Sequence, residues 1–118
     1  MAKIKNQAGN YVTPSTASTT AAINAFSAQL AQDPRTPIVN APASAPDAYP
    51  ISTLTFLIIP KDGKDVPKRT ALKQFIVYVV TDGQQAASGL NYAPLPDAVK
   101  QLNVKTLSQL TANGSPIQ

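Results

Sequence analysis

Apolar and polar positions alternate differently along successive stretches of this chain, and the changes of period mark its elements. "KIKNQAGNYV" (3–12) reads as a short strand, a turn at Ala8-Gly9-Asn10 and a second short extended piece. In "TPSTASTTAAINAFSAQLAQ", a cluster of hydroxyls suited to capping precedes Ile23, Phe26 and Leu30, spaced three and four apart. This pattern predicts an amphipathic helix from about Ser18 to Gln32. Ordinary capping accounts for the hydroxyls, since no glycine there would let an anion approach closely. From Asp33 to Pro50 the periodicity disappears in a proline-rich stretch, which reads as the join between two structural units.

The apolar, β-branched run Thr53–Ile59 then predicts a strand buried on both faces, of the kind found in parallel or mixed sheets covered by helices. Pro67 offers a helix start, and Leu72, Phe75, Ile76, Val79 and Val80 form the strongest helical stripe in the chain, expected to pack on that strand. Gln84–Leu90 can form a further short helix. Pro96 suits the start of a last one, with Val99, Leu102, Leu107 and Leu110 near one face, a weak point at Asn103-Val104, and Gly114 as its end. The fold class expected is α/β, with helices packed on a short mixed sheet.

Composition sets limits on chemistry. The chain has 118 residues, enough for one modest core, and its seven aromatics (four Tyr, three Phe) leave Ile, Leu and Val to supply most of the burial. It contains no His, Cys or Glu, which removes imidazole bases, thiol nucleophiles, thiolate metal sites and glutamate acid–base pairs. The six aspartates are scattered at 33, 47, 62, 65, 82 and 97, beside Pro, Gly or Lys as loop and cap residues would be. No catalytic, ligand-binding or metal-holding residue is assigned, no cofactor is called, and no enzyme activity is expected. The net charge of +4 is spread out, and the densest run, "KDGKDVPKRTALK", interleaves Asp62 and Asp65 with its cations. With no aromatics among these cations, the run reads as a solvated loop and helix start, and no nucleic-acid partner is expected. "MAKIKNQAGN" has no apolar core of a signal peptide, and no run reaches the length of a membrane span.

Three motifs in order carry a family resemblance. The first is Asn6, Gly9, Tyr11, Val12, Pro14 and Ser15. The second is Tyr49, Pro50, Ile51, Thr55 and the run Phe56–Ile59. The third is Phe75 and Tyr78, then Gly83, Gln84, Ala87, Leu90, Tyr92, Pro94, Leu95 and Pro96. Over roughly Ile4 to Leu110 the chain resembles the C-terminal part of the periplasmic phosphate-binding proteins, the substrate-binding subunits of ABC phosphate importers. The resemblance implies an incomplete portion of a two-lobed periplasmic-binding-protein fold, with residues 1–48 a segment of the second lobe. Residues 49–118 would cross the hinge and supply C-terminal helices to the first lobe. It also implies a parent that binds inorganic phosphate, works with an ABC permease and resides in the periplasm or at the cell surface. In the family, the phosphate ligands lie in an earlier part of the chain that includes a Ser-Gly-Thr-type segment. No such segment occurs here, so the chain is expected to be a truncated portion without phosphate ligands of its own; the alternative is a free-standing structural or interaction domain. The Leu90–Pro96 corner is expected to aim the last helix, with Tyr92 and Leu95 plugging the junction. If the Thr53–Ile59 strand has lost its neighbours, a homo-oligomer through an exposed sheet edge is expected.

Overall fold

The computed structural model describes residues 1–117. The N-terminal hairpin forms as read: β1 (Ile4–Lys5) pairs antiparallel with β2 (Tyr11–Val12) around a turn in which Gly9 takes φ +90°. Buried Asn6 holds this hairpin to the proline-rich stretch. Its side-chain amide donates to the carbonyls of Pro46 (2.8 Å) and Ala48 (3.1 Å), and its Oδ1 accepts from the backbone N–H of Asn10.

The first helical stretch is two helices, α1 (Thr16–Ala25) and α2 (Ser27–Gln32). Ser15 caps α1 in a capping box: its Oγ accepts from the Ser18 N–H, and the Ser18 hydroxyl accepts from the Ser15 N–H. The break falls at Phe26 (φ −108°, ψ 11°), whose ring packs against two clusters at once. One cluster is Ala22, Ala41 and Ala48; the other is Ile23, Leu30, Ile38 and Val99. Three apolar residues from the first third of the chain thus share a core with one near the C-terminus.

The strand expected at Thr53–Ile59 does not form. The segment runs without assigned secondary structure, and none of its backbone groups bonds to another described element. Its ends are held: Leu54 packs on the Ile23/Leu30/Ile38/Val99 cluster and Ile59 on the C-terminal one. Between them Phe56, Leu57 and Ile58 are 54%, 62% and 96% exposed. A strand needs a ladder partner, and no other stretch of the described chain makes backbone hydrogen bonds to this one. The described sheets are therefore two antiparallel pairs, β1–β2 and a C-terminal hairpin, and not one mixed sheet.

Helix α3 (Val66–Val80) starts where Asp65 caps it by accepting from the Lys68 N–H at 3.0 Å, with Pro67 in the first turn. Its buried side is rotated from the stripe expected. Arg69 and Ile76 are buried, Val77 and Val80 pack beside Ile76, and Leu72 and Phe75 face out. The short helix expected after Gly83 appears as two 3-10 turns, Asp82–Ala86 and Ser88–Leu90.

Helix α4 (Asp97–Leu107) follows Pro96 without a break at Asn103-Val104. Its early residue Val99 belongs to the N-terminal cluster, and its last, Leu107, to a second core of Ile76, Leu110, Ala112 and Ile117. Gly114 does not end this helix. It sits with Asn113 in a two-residue turn, both at positive φ (51° and 75°), joining β3 (Thr111–Ala112) to β4 (Ser115–Pro116).

The molecule is elongated, 52 × 28 × 19 Å, with a radius of gyration of 16.6 Å. A compact domain of this length would have about 13.5 Å.

Candidate functional site

A cleft of about 930 Å³, widely open, lies between the tip of the β1–β2 hairpin, the start of α1 and the end of the proline-rich stretch. Gly9, Asn10, Tyr11, Thr13, Ser15, Ser18 and Asp47 face it. Its Ser15, Ser18 and Asn10 side chains are already engaged. Ser15 and Ser18 complete the capping box, the Ser18 hydroxyl also donates to the Thr13 carbonyl at 2.9 Å, and the Asn10 side chain donates to the Pro46 carbonyl. No lysine or arginine lines the cleft, and Asp47 adds a carboxylate at its wall. Such a lining disfavours a phosphate dianion, which needs convergent cationic and N–H donors. Capping therefore accounts for the hydroxyl cluster.

The basic run also turns inward at one point. Arg69 is only 8% exposed, and its guanidinium bonds no carboxylate among the described residues. Its Nε donates to the Thr111 carbonyl (3.1 Å), and one terminal nitrogen donates to the carbonyls of Pro60 (2.9 Å) and Lys61 (2.8 Å). The planar fork thus clamps the loop before α3 to the C-terminal hairpin. Nearby, Asp62 accepts from the Thr111 hydroxyl and from the Gly114 N–H at 3.1 Å. These bonds, the hydroxyl first, hold its carboxyl below the ordinary carboxylate value, with the Arg69 charge a smaller cause. Two backbone bonds, Thr111 N–H to Lys61 and Asn113 N–H to Gly63, finish the joint. Of the other cations of the run, Lys61, Lys64 and Lys68 are exposed, while the half-buried Lys73 donates from its Nζ to the Ile117 carbonyl at 2.7 Å. Nothing in the sequence signals this clamp, because the acceptors are backbone carbonyls that every residue carries.

The third motif forms a fastened corner. Asn91 takes a left-handed conformation (φ 61°), and the Tyr92 N–H reaches back to the Ala87 carbonyl. Gln84 bridges the two sides: its Nε2 donates to the Val79 carbonyl at 2.7 Å, and its Oε1 accepts from the Leu95 N–H at 2.9 Å. Leu95 plugs the junction as expected, packing on the cluster around Val99. Tyr92 does not. It is 63% exposed, because the turn at Asn91 leaves its ring outside the joint. Helix α4 is thereby aimed so that one end meets the N-terminal core and the other the C-terminal core.

Among the described residues no group of three potential metal ligands converges, and no helix is long and apolar enough to cross a membrane. The chemistry available here is clamping, capping and apolar contact.

No protein-family model matches the chain. It is similar to proteins described as phosphate-binding protein PstS from two strains of Xylella fastidiosa, Temecula1 and 9a5c. Each is 35% identical over 107 residues, covering 90% of this chain. The chain spans 29% of the length of these curated relatives. It therefore resembles a portion of a phosphate-binding protein, and its mixture of helices with two small antiparallel sheets is that of a partial α/β fold.

Proposed function

We propose that this chain is a C-terminal portion of a two-lobed phosphate-binding protein serving ABC-type phosphate import, and that it contributes scaffold to that protein without holding the ligand. The observation that carries the reading is the 35% identity over 107 residues to phosphate-binding proteins. The whole protein would capture inorganic phosphate in the periplasm or at the cell surface and pass it to a membrane permease, with no catalytic step. Residues 1–48 would belong to the second lobe, and residues 49–118 would cross the hinge to the first. The chain's own polar groups fit this scaffold role: the cleft at α1 has spent its Ser15 and Ser18 hydroxyls on capping, and Arg69 gives its Nε and one terminal nitrogen to backbone carbonyls. A dehydrated dianion needs more convergent donors than these leave free. The exposed surface of 7640 Å², against about 6,100 Å² for a compact monomer of this mass, favours a portion over a free-standing interaction domain.

The test replaces the matched 107 residues of the Temecula1 protein with this chain and titrates inorganic phosphate by calorimetry. The expected result is one-to-one binding within about tenfold of the unaltered relative, or about 1.4 kcal/mol. Loss of binding in a folded chimera would overturn the reading. Micromolar binding by the isolated chain would overturn the scaffold role.

A further inference from the structure

We infer that Asn113 is a site of spontaneous deamidation, held back while the C-terminal hairpin is fastened to the loop before α3 and released when that joint opens. The modification is imide formation within the chain followed by hydrolysis, and water is its one co-reactant.

The sequence singles out this position. Of the chain's asparagines, only Asn113 precedes a glycine; the others precede Gln7, Tyr11, Ala25, Ala41, Tyr92 and Val104. Imide formation requires the next residue's backbone nitrogen to reach the asparagine Cγ, and a side chain on that residue crowds the approach. Glycine carries none. A Cβ built at Gly114 would meet nothing within 4 Å, and both residues of the turn are exposed, so water reaches the ring that forms.

The chemistry balances without a redox partner. The Gly114 nitrogen gives up its proton and attacks the Asn113 Cγ. The N–Cγ bond forms, the Cγ–Nδ2 bond breaks, and ammonia leaves with that proton. Water then opens the ring. Hydrolysis at Cγ gives aspartate, whereas hydrolysis at the main-chain carbonyl carbon gives isoaspartate and lengthens the backbone by one carbon. Either product takes one unit from the net charge of +4.

In the fastened hairpin both reacting groups are occupied. The Gly114 N–H donates to the Asp62 Oδ1 at 3.1 Å, and that carboxylate opposes loss of the proton that must leave. The Asn113 Nδ2, the leaving group, donates to the Lys64 carbonyl at 3.0 Å, which draws the side chain toward the loop and away from its own peptide nitrogen. The Asn113 backbone N–H donates to the Gly63 carbonyl at 2.8 Å, fixing the residue at φ 51°. The Arg69 fork at Thr111 and the Lys73 ammonium at the Ile117 carbonyl hold the same hairpin. Reaction therefore runs through the open joint, and its rate follows the open population.

The product cannot close the joint as before. A carboxylate at position 113 replaces the donor to Lys64 with an acceptor facing an acceptor. The extra backbone carbon of isoaspartate disrupts the two-residue turn that sets Thr111 opposite Pro116 and Ala112 opposite Ser115. Deamidation is thus a one-way release of the hairpin from the core around Ile76 and Leu107.

The experiment incubates the full chain at neutral pH and physiological temperature, folded and in urea, and follows the tryptic peptide that begins at Thr106 by mass spectrometry. That peptide holds Asn113 as its one asparagine. In urea Asn113 should convert before any other asparagine, and in the folded chain about tenfold or more slowly. Arg69→Met and Asp62→Ala loosen the joint from its two sides. Each should speed conversion in the folded chain severalfold and leave the rate in urea unchanged. Asp62 is exposed, so Asp62→Ala carries the test if Arg69→Met does not fold. In the purified isoaspartyl product the Thr111 amide, which donates to Lys61, should exchange about tenfold faster. Conversion as fast folded as in urea, another asparagine converting first, a folded variant that leaves the rate unmoved, or unchanged protection of Thr111 in the product would each overturn the inference.

Discussion

Arg69→Met removes a guanidinium that donates three bonds, to Thr111, Pro60 and Lys61, while keeping much of the side chain's apolar stem. Hydrogen bonds from a charged donor are each worth about 1.5–3 kcal/mol, and a buried carbonyl left unpaired adds a desolvation cost. The three acceptors lie near the surface and water reaches some of them once the fork is gone, so the losses do not add fully. About 3 kcal/mol is the expected total, a large fraction of the roughly 5–15 kcal/mol that holds a domain together. For a chain of this length that corresponds to a fall of about 10 °C in Tm. Urea unfolding followed by circular dichroism measures the first quantity. Amide exchange at Thr111 and Asn113, which donate to the clamped loop, shows where the loss falls. Arg69→Lys keeps the charge without the fork and should recover less than half of the loss. An independent perturbation reaches the same clamp from the other side. A Cβ at Gly63 would stand 2.7 Å from the Arg69 Cδ, and a side chain anchored at three points cannot swing away freely. Gly63→Ala should therefore cost about 1–2 kcal/mol by overpacking. An Arg69→Met variant within about 0.5 kcal/mol of the parent, the range of an ordinary surface change, would refute the reasoning.

Asn6→Ala should destabilise by about 2–3 kcal/mol, since it strips the donors from the Pro46 and Ala48 carbonyls; exchange at Ala48 and urea midpoints check it. Gln84→Glu keeps the acceptor for the Leu95 N–H but loses the donor to Val79. It should loosen the corner by about 1–2 kcal/mol, read as faster exchange at Leu95. The carboxyl of Asp62 is held below its ordinary value of 3.8 by the Thr111 hydroxyl first and the Gly114 N–H next. A depressed folded value stabilises above the unfolded value and is lost as pH falls through the folded one. The C-terminal hairpin should accordingly loosen only below about pH 3.8, and Asp62→Asn should abolish that step in an acid titration followed by NMR. The Thr53–Ile59 segment, whose backbone bonds no other described element, should drive weak self-association at high protein concentration. Sedimentation across a hundredfold range checks this, and Ile58→Lys should suppress it.

Local chemistry was legible along the chain wherever a few neighbouring residues decide the outcome. The turn at Gly9, the hydroxyl cap before α1, the proline-rich connection, the start of α3 near Pro67 and the corner before Pro96 all depend on groups close in sequence. The Asn113-Gly114 turn was equally local: that dipeptide is the usual signal of a tight hairpin, but it was read as a helix end. The family resemblance, too, was carried by motifs in the sequence, and the similarity to phosphate-binding proteins agrees with it. What the residues could not decide was anything requiring a distant partner. An apolar run states that a strand would be stable in a sheet, not that neighbouring strands are present, so Thr53–Ile59 remains an extended segment with its ends anchored. Helix α3 carries two apolar stripes, and only packing against Leu107, Leu110 and Ile117 selects the one with Ile76. Arg69 belongs to a basic run that reads as solvated. It is drawn inward by carbonyls 8 to 42 residues away, and those acceptors, common to every peptide unit, acquire meaning only when the chain's path brings them together.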